Sequence, residues 1–275
     1  PAVLKYKEIT KPQPKEDEIL IKVKAANVTA ADTMMRRGEP WYGRLFMGLT
    51  KPKYPIAGTG FSGIIEAVGT DVQRFQVGDE VFGESVLGSG ANAEYLCISE
   101  EGLIALKPKN VTHEELACMC DGPLTSWNYI KEMANVKSGE KVLINGASGS
   151  LGTAAVQLAK NLGAEVTAVC SYANWDMVRS LGADKVIDYT RIDFTKTRNS
   201  YDVVFDTVGK SSFRESKKVL AKNGTYLSPV LSLSLLFHML WTSNFGFQKA
   251  KFAATGLVAV PKLSAMLSEL TDLLA

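Results

Sequence analysis

The chain has 275 residues, and its 31 lysines and arginines nearly balance its 29 aspartates and glutamates, giving a formal net charge of +2. Because positive and negative charges are so nearly equal, we expect no basic stripe, which argues against a nucleic-acid partner. Hydrophobic residues make up 46% of the chain and charged residues 22%. These values exclude disordered and low-complexity proteins and predict one large or two average globular domains. The four cysteines include no Cys-x-x-Cys pair, so we expect a reducing, cytoplasmic compartment.

The first part of the chain, residues 1–115, predicts a domain built from β-strands. Short runs rich in β-branched residues alternate there with glycine-containing turns. The predicted strands are residues 19–23, 63–68, 80–82 and 93–98. This pattern is typical of a small barrel or a folded sheet.

The second part, residues 116–275, predicts alternating strands and helices. The predicted strands are residues 141–145, 165–170, 185–189, 201–207 and 224–227, and the predicted helices are residues 151–162, 174–181, 212–221 and 261–274. This alternation is typical of βαβ units and of a parallel sheet with helices on both faces. The expected fold class is therefore α/β, with a doubly wound second domain.

An uncharged stretch runs from Tyr226 to Gln248 and is long enough to raise the question of a membrane span. Because it contains Pro229, Gly246 and several serines and threonines, we expect no spanning helix. We interpret it as a buried strand followed by an apolar segment that packs under a cleft or against a second subunit. The run after Gly224 is expected to form an edge strand that pairs with its copy in a homodimer.

A glycine-rich turn joins the first strand and the first helix of the second domain. It reads NGASGSLG over residues 145–152, with alanine at the first position of the Gly-x-Gly-x-x-Gly pattern. Gly149 would let the backbone approach a pyrophosphate, and Gly152 would let the helix lie close to its strand. The N–H groups of Ser150, Leu151 and Gly152 would then face the anion. The turn predicts a dinucleotide site, with glycines chosen only for helix packing as the alternative.

The residues after the second strand bear on the choice of cofactor. NAD sites usually place an acidic residue there to hold the ribose 2′-hydroxyl. The stretch from Ser171 to Asn174 has none, and these two side chains could donate hydrogen bonds to a 2′-phosphate. Arg179 is the nearest cation. We therefore favour NADP(H) over NAD.

Stretches along almost the whole chain carry a family resemblance. They read AANVTAAD (25–32), RRG (36–38), FSGIIEAVG (61–69), VGDEVFG (77–83), GPLTSW (122–127), LGAD (181–184), VIDY (186–189) and YDVVFDTVG (201–209). Together and in this order, they resemble the zinc-free quinone oxidoreductases, the zeta-crystallin-like branch of the medium-chain dehydrogenase/reductase superfamily.

The resemblance implies a GroES-like N-terminal domain, a Rossmann C-terminal domain and a cleft between them. It also implies hydride transfer from NADPH to a quinone, an enone or a related carbonyl. The implied cofactor site consists of Ser148, Gly149, Ser150 and Leu151 at the pyrophosphate, Ser171 and Asn174 near the adenosine phosphate, Tyr189 beside the adenine ribose, and Thr125 and Val208 at the nicotinamide. Thr29 and Tyr42 are the implied catalytic residues at the substrate.

The chain departs from the family pattern at several positions. Thr29 replaces the usual asparagine, Gly60 stands where many relatives carry glutamate, and Ala173 stands where NADP-dependent relatives often carry a cation. Relative to the family, we also expect the first N-terminal strand and a C-terminal return segment to be missing.

Asp32 precedes Arg36 and Arg37, and we expect it to form a structural ion pair rather than to act as an acid.

Zinc ligands are absent from the first two positions where zinc-dependent relatives carry them, and Asp121 or Cys120 could supply only one ligand, at the third position. Gly58, Thr59 and Gly60 replace a histidine-containing pattern, and the structural four-cysteine lobe is missing. We therefore expect no metal. His113 instead follows Thr112, which predicts a helix start with Thr112 as its cap.

Two other functions stay open on these residues. The protein could bind NADPH without turnover, as a sensor or structural module, because Thr29 and Gly60 depart from the family pattern. It could instead be an enoyl thioester reductase, which would need a long apolar tunnel with basic residues at its mouth.

The aromatic residues Trp41, Tyr42 and Phe46 are interpreted either as a substrate wall or as core.

Overall fold

A computed structural model describes residues 4–39, 44, 48–51, 53–85, 90–198 and 200–274. The chain divides into two compact units, residues 1–120 with 260–275, and residues 121–259. The boundary predicted at residue 115 lies slightly earlier, and the last helix, which we assigned to the second domain, groups with the first unit. Periodicity identifies a helix and its apolar face, but it does not say which sheet that face will cover.

The first unit is built on a five-stranded antiparallel sheet. Its strands are β1 (Glu18–Ala26), β2 (Gly60–Val68), β3 (Glu80–Glu84), β4 (Tyr95–Ser99) and β5 (Leu103–Leu106). They lie in the order β4-β1-β2-β3-β5. Alternate residues of β1, Ile19 and Ile21, are buried with Phe61 and Ile65 of β2 in one apolar cluster. The strand-rich prediction for this region is confirmed, and β5 is an additional strand.

Among the described residues of this first unit, the helices are α1 (Ala30–Arg37), α2 (His113–Leu116) and α8 (Val260–Asp272). Thr112 caps α2 as predicted, because its hydroxyl accepts a hydrogen bond from the Glu115 N–H while the Glu115 carboxylate accepts from the Thr112 N–H. Helix α8 buries Leu263, Met266, Leu267 and Leu270, residues that recur at helical spacing. It packs against β5.

The second unit contains a six-stranded parallel sheet. Its strands are β6 (Lys141–Asn145), β7 (Glu165–Cys170), β8 (Lys185–Asp188), β9 (Tyr201–Asp206), β10 (Leu220–Leu227) and β11 (Lys249–Lys251). They lie in the order β11-β10-β9-β6-β7-β8, with every neighbouring pair parallel. The direction of winding reverses between β6 and β9, and in doubly wound sheets ligands bind outside the carboxyl ends of the strands at that point.

Helices and turns cover both faces of this sheet. They are α3 (Gly122–Trp127), a π-helical turn (Asn128–Met133), α4 (Ser150–Asn161), α5 (Trp175–Ser180), α6 (Phe213–Ser216) and α7 (Leu233–Asn244). Val142 and Ile144 of β6 lie in the same apolar cluster as α4, whereas Leu143 lies in a second cluster with Phe213 and Leu235. Successive residues of a strand point to opposite faces, so the doubly wound prediction is confirmed.

The segment after Gly224 differs from its prediction in two ways. Strand β10 lies inside the sheet between β9 and β11, so it is not the edge strand that we expected to pair with a second copy. The apolar run beyond it forms helix α7, which buries only Leu235 and Thr242. No helix within the described parts of the chain is both long and apolar enough to cross a membrane.

Candidate functional site

The glycine-rich turn lies at the carboxyl end of β6, where the winding of the sheet reverses. Gly146 adopts a φ of 79°, a conformation that glycine tolerates best. The N–H groups of Gly146 and Ala147 both donate to the Val169 carbonyl of β7, at 3.1 and 3.0 Å. The Gly149 N–H donates to the Gly146 carbonyl at 3.0 Å. These bonds hold the turn over the ends of β6 and β7.

The last two glycines of the turn have different surroundings. A Cβ at Gly152 would lie 2.1 Å from the Gly146 carbonyl oxygen and 2.6 Å from the Ala147 Cα, so this glycine allows the close approach of helix and strand. A Cβ at Gly149 would meet only the Gly146 oxygen, at an ordinary 3.4 Å. The space beside Gly149 is therefore open to a ligand, as a pyrophosphate site requires.

Helix α4 begins at Ser150 without a side-chain cap. Gly149 is its N-cap residue and contributes no side-chain hydrogen bond, and the first helical bond runs from the Thr153 N–H to the Gly149 carbonyl. The N–H groups of Ser150, Leu151 and Gly152 precede that bond, and the first turn of a helix leaves such donors without intrahelical acceptors. Together with the positive end of the helix dipole, they provide the kind of donors that the predicted pyrophosphate site requires.

Helix α3 packs directly against this turn and brings Thr125 with it. The Ser126 hydroxyl donates to the Leu151 carbonyl at 2.8 Å. A Cβ at Gly122 would lie 2.5 Å from the Ser150 hydroxyl oxygen, so only glycine fits there without movement. Thr125 is half-buried on the same helix. The small residues Gly122 and Ser126 of α3 thus have a packing reason.

A buried carboxylate shapes the loop that carries Val208. Asp206, at the end of β9, accepts hydrogen bonds from the Asn145 amide at 2.9 Å and from the N–H groups of Val208 and Gly209 at 3.2 and 3.0 Å. It also accepts bonds from the N–H and hydroxyl of Ser211, at 2.9 and 2.8 Å. Val208 remains partly exposed beside the turn, where a Cβ on Gly146 would meet its methyl group. The structure therefore brings Val208 to the glycine-rich turn.

Sequence reasoning missed the role of Asp206 and Asn145. The only available signal was a charged and an amide residue at the ends of two otherwise apolar strands, a place where buried polar groups need partners. Tyr226 completes the group, because its hydroxyl donates to Asp206 at 3.1 Å. Burial, and next the nearby Asp206 charge, raise the pKa of Tyr226, so its hydroxyl keeps its proton. This network fixes the backbone of the loop.

Ser171 and Asn174 lie together after β7. The Asn174 side-chain amide donates to the Ser171 hydroxyl at 3.2 Å. Tyr189, at the end of the adjacent strand β8, is largely exposed, and its N–H donates to the Cys170 carbonyl at 3.4 Å. The three predicted residues are thus placed at the ends of neighbouring strands. Arg179 is exposed and lies over the Trp175 ring, 5.3 Å from its centroid.

Asp188 is an acidic residue that sequence reasoning did not weigh at this end of the site. It pairs in register with Cys170 and accepts hydrogen bonds from the hydroxyl and N–H of Thr190, at 2.7 and 2.9 Å. These two bonds lower the pKa of the Asp188 carboxyl. Arg191 lies 3.8 Å away and offsets part of the charge.

In the first unit, Thr29 acts as the N-cap of α1. Its hydroxyl donates to the Asp32 carboxylate at 3.1 Å and accepts from the Asp32 N–H at 3.3 Å, while its own N–H donates to that carboxylate at 2.7 Å. This reciprocal arrangement is a capping box. Asp32 therefore serves as a capping residue, rather than in the ion pair with Arg36 or Arg37 that we expected, and the Thr29 hydroxyl is already engaged.

Gly60 faces the buried side chain of Asn27. The Gly60 N–H donates to the Asn27 side-chain oxygen at 3.3 Å, and a Cβ at Gly60 would lie 2.7 Å from the Asn27 side-chain nitrogen and from the Ala117 carbonyl oxygen. The Asn27 side-chain nitrogen has no hydrogen-bond partner among the described residues. The glutamate of many relatives could not replace Gly60 without moving Asn27.

Two predictions concern residues or groups that the structure does not settle. Tyr42, the second predicted catalytic residue, lies outside the described residues, as do Trp41 and Phe46. Within the described ranges, no three or more His, Cys, Asp or Glu side chains are grouped so that they could hold a metal ion. The prediction of a zinc-free site stays a prediction.

Comparison with known families and proteins gives consistent results. The alcohol dehydrogenase GroES-like domain matches residues 15–108, and the zinc-binding dehydrogenase family matches residues 150–229. The first match confirms the predicted GroES-like domain.

Similar curated proteins are reductases. The chain is 34% identical over 223 residues to a 2-methylene-furan-3-one reductase of Solanum lycopersicum, covering 78% of this chain and 55% of the relative. It is 33% identical to a chloroplastic NADPH-dependent alkenal/one oxidoreductase of Arabidopsis thaliana, covering 80% of this chain and 59% of the relative. It is 36% identical to a trans-enoyl reductase of Aspergillus terreus, covering 70% of this chain and 55% of the relative. The chain thus spans little more than half the length of these relatives.

Among solved structures, the quinone oxidoreductase of Coxiella burnetii is similar, with a TM-score of 0.84 and 26% sequence identity. The similarity covers 98% of this chain and 84% of that protein. It therefore extends over both units.

Proposed function

Because the chain belongs to the medium-chain dehydrogenase/reductase superfamily, in its quinone oxidoreductase branch, we propose that it is an oxidoreductase that passes hydride from NADPH to a quinone, an enone or a related conjugated carbonyl. The observation that carries this proposal is the open, uncapped turn at Gly149, where the sheet reverses its winding. The names of the reductase relatives support the reaction class.

The residues of the second unit would bind and orient the cofactor. The N–H groups of Ser150 and Leu151 would hold the pyrophosphate, with Ser148 and Gly149 shaping the turn around it. Val208 and Thr125, both held against the turn, would line the nicotinamide. The rigid Asp206 network keeps Val208 in place, so the ring would be oriented without reorganisation of the loop. NADPH, when bound, supplies the hydride.

We propose NADP(H) rather than NAD as the preferred cofactor. Ser171 and Asn174 offer a hydroxyl and an amide where an NAD site would need a carboxylate. Tyr189 would lie against the adenosine end, and the exposed cations Arg179 and Arg191 lie on the neighbouring segments. The negative charge of Asp188 opposes this preference, but its carboxylate accepts a hydrogen bond from Thr190 and lies close to Arg191.

We propose that Thr29 and Tyr42 contact the substrate that accepts the hydride, and that no zinc ion takes part. A conjugated acceptor spreads the charge that hydride brings, so a single hydroxyl donor is a sufficient aid. To donate to a substrate, the Thr29 hydroxyl would have to leave the Asp32 carboxylate. We therefore expect Thr29 to contribute less than a free donor.

Fluorescence titration with NADPH and NADH, followed by addition of 9,10-phenanthrenequinone, tests the proposal. We expect selective binding of NADPH and its rapid oxidation when the quinone is added. Binding without oxidation across quinones, enones and enoyl thioesters would replace the enzyme with a non-catalytic NADPH sensor. The absence of binding by either nucleotide would contradict the assignment of the turn.

An enoyl thioester reductase is the second candidate, because a trans-enoyl reductase is among the relatives at 36% identity. Turnover of crotonyl-coenzyme A at least tenfold faster than turnover of quinones and simple enones would favour it. The reverse ratio would favour the quinone and enone acceptors. The same NADPH oxidation assay measures both.

We also propose a homodimer and a cytoplasmic location. Strand β11 ends the order of described strands in the second sheet, so it offers the surface for pairing with a second copy. Cys97, Cys118 and Cys170 form no disulfide bond with one another, as a reducing compartment favours. Sedimentation equilibrium at micromolar concentration tests the first proposal. Imaging of the natural full-length protein tests the second, and a chloroplastic relative shows that organelles must be included.

A further inference from the structure

Helix α7 and the loop after it present an exposed apolar surface on the second unit. It consists of Leu233, Phe237, Leu240, Trp241, Phe245 and Phe247, and we call these residues the aromatic face. Leu233 is 87% exposed, Phe247 67% and Leu240 66%. Isolated exposed apolar residues are common, but a contiguous patch of this kind marks an interaction surface.

The aromatic face belongs to a helix that is anchored to its unit. The Ser232 hydroxyl caps the helix by accepting from the Leu235 N–H at 3.1 Å. Leu235 and Thr242 are buried, and the Thr242 hydroxyl accepts from the Ala250 N–H at 3.1 Å. The opposite face is therefore held towards solvent by packing, and its exposure is a property of the folded unit.

The charged residues that line a groove beside the aromatic face are all basic. Residues 207–259 contain seven lysines and arginines and a single acidic residue, Glu215, whose carboxylate is engaged in the capping box of α6. The exposed side chains of Arg214, Lys217 and Lys222 line an open groove of about 680 Å³ together with the aromatic rings. The even charge balance of the whole chain hid this local excess.

We propose that the aromatic face binds the surface of an anionic phospholipid bilayer, with α7 lying in the plane of the membrane. Helices that bind this way combine bulky apolar residues on one side with lysine or arginine beside them. Tryptophan is favoured at the membrane interface, and basic residues are attracted to anionic headgroups. The 12 residues of α7 extend for about 18 Å, which suits a position on the membrane surface.

Charge also argues against a second copy as the partner of this face. In a two-fold symmetric contact the same patch lies on both sides, so the contact would bring together the basic groups of Arg214, Lys217 and Lys222 from both copies. A bilayer with anionic headgroups neutralises them instead. The inference does not depend on the proposed oxidoreductase activity, since none of these residues belongs to the cofactor site.

Co-sedimentation of the full chain with vesicles tests the inference. We expect binding to phosphatidylcholine vesicles that contain about 30% phosphatidylserine to be at least tenfold tighter than to pure phosphatidylcholine vesicles. Lys217→Glu with Lys222→Glu should weaken binding at least tenfold, and raised salt should weaken binding by the wild type. Phe237→Ser with Trp241→Ser should remove it, and both positions are exposed, so the fold should persist.

Matched controls lie on exposed positions of the first unit. Lys5→Glu with Lys7→Glu repeats the charge change, and Leu4→Ser with Ile9→Ser repeats the loss of apolar surface. Both control variants should bind anionic vesicles as the wild type does. Absence of binding by the wild type, or equal loss in the controls, would overturn the inference. So would a dimer that dissociates on Trp241→Ser, because a second copy would then cover this face.

Discussion

Helices α1 and α4 both begin at residues that the sequence predicted to be functional, but their first N–H groups have different partners. At α1, Thr29 and Asp32 satisfy the first N–H groups from within the chain. At α4, Gly149 offers no side chain, and the donors of Ser150 and Leu151 are left for a ligand. A helix start is therefore a candidate binding site when its own cap is missing, and a candidate stability element when the cap is present.

The largest effect should come from adding a side chain at Gly152, where helix α4 lies close to the glycine-rich turn. Gly152→Ala would place a methyl group 2.1 Å from the Gly146 carbonyl oxygen. Because backbone must move, we expect the free energy of unfolding to fall by about 3 kcal/mol, with loss of NADPH binding. Gly256→Ala is the matched control, since a Cβ there meets nothing within 4 Å. Chemical denaturation measures both, and equal stability of the two variants would contradict the packing role of Gly152.

Gly149→Ala separates ligand binding from folding at the same turn. Its Cβ has an ordinary contact with the protein but enters the space assigned to the pyrophosphate. We expect NADPH affinity to fall about 100-fold, which corresponds to about 2.7 kcal/mol. The free energy of unfolding should change by no more than about 1 kcal/mol. Unchanged affinity in a fluorescence titration would remove the pyrophosphate from this turn.

Ser171→Asp tests the other end of the same site. A carboxylate there would repel a 2′-phosphate, so we expect NADPH affinity to fall about tenfold, or about 1.4 kcal/mol. NADH affinity should be unchanged or improved. Ser171→Ala is the control that removes the hydroxyl without adding charge. If NADPH and NADH respond alike to Ser171→Asp, the preference for NADP(H) is wrong.

The smallest effect is expected at the capped helix. Thr29→Ala removes the capping box and should lower the free energy of unfolding by about 1 kcal/mol. Thr29→Asn keeps a capping side chain and introduces the residue that the family usually carries. A purely structural Thr29 would leave the turnover number of the alanine variant unchanged. A turnover number that falls about 100-fold in the alanine variant and recovers in the asparagine variant would make Thr29 a substrate donor as well.

Most of the parallel sheet could be predicted from sequence because its signals are local. The strands Lys141–Asn145 and Glu165–Cys170 have their predicted bounds, since apolar runs bounded by turn residues define both ends. The glycine-rich turn was equally readable. Strand β5 and helix α7 were missed, because short or uniformly apolar segments carry no clear periodicity.

The uses of individual polar groups were harder to predict than the elements that carry them. Asp206 could be recognised as an acidic residue at a strand end, but its partners Asn145 and Tyr226 lie far away in sequence. The same holds for Asn27, which meets Gly60 only when β1 and β2 are paired. Such contacts depend on strand order and register, which local patterns do not specify.

Sequence alone was sufficient to establish the two-part α/β organisation, the glycine-rich turn and the family, because each depends on residues close together in the chain. Tertiary structure decided that β10 is internal, that α8 joins the first unit, and that Arg214, Lys217 and Lys222 border an exposed aromatic face. The physical reason is that burial and charge are properties of a surface. A surface exists only after distant segments have packed together.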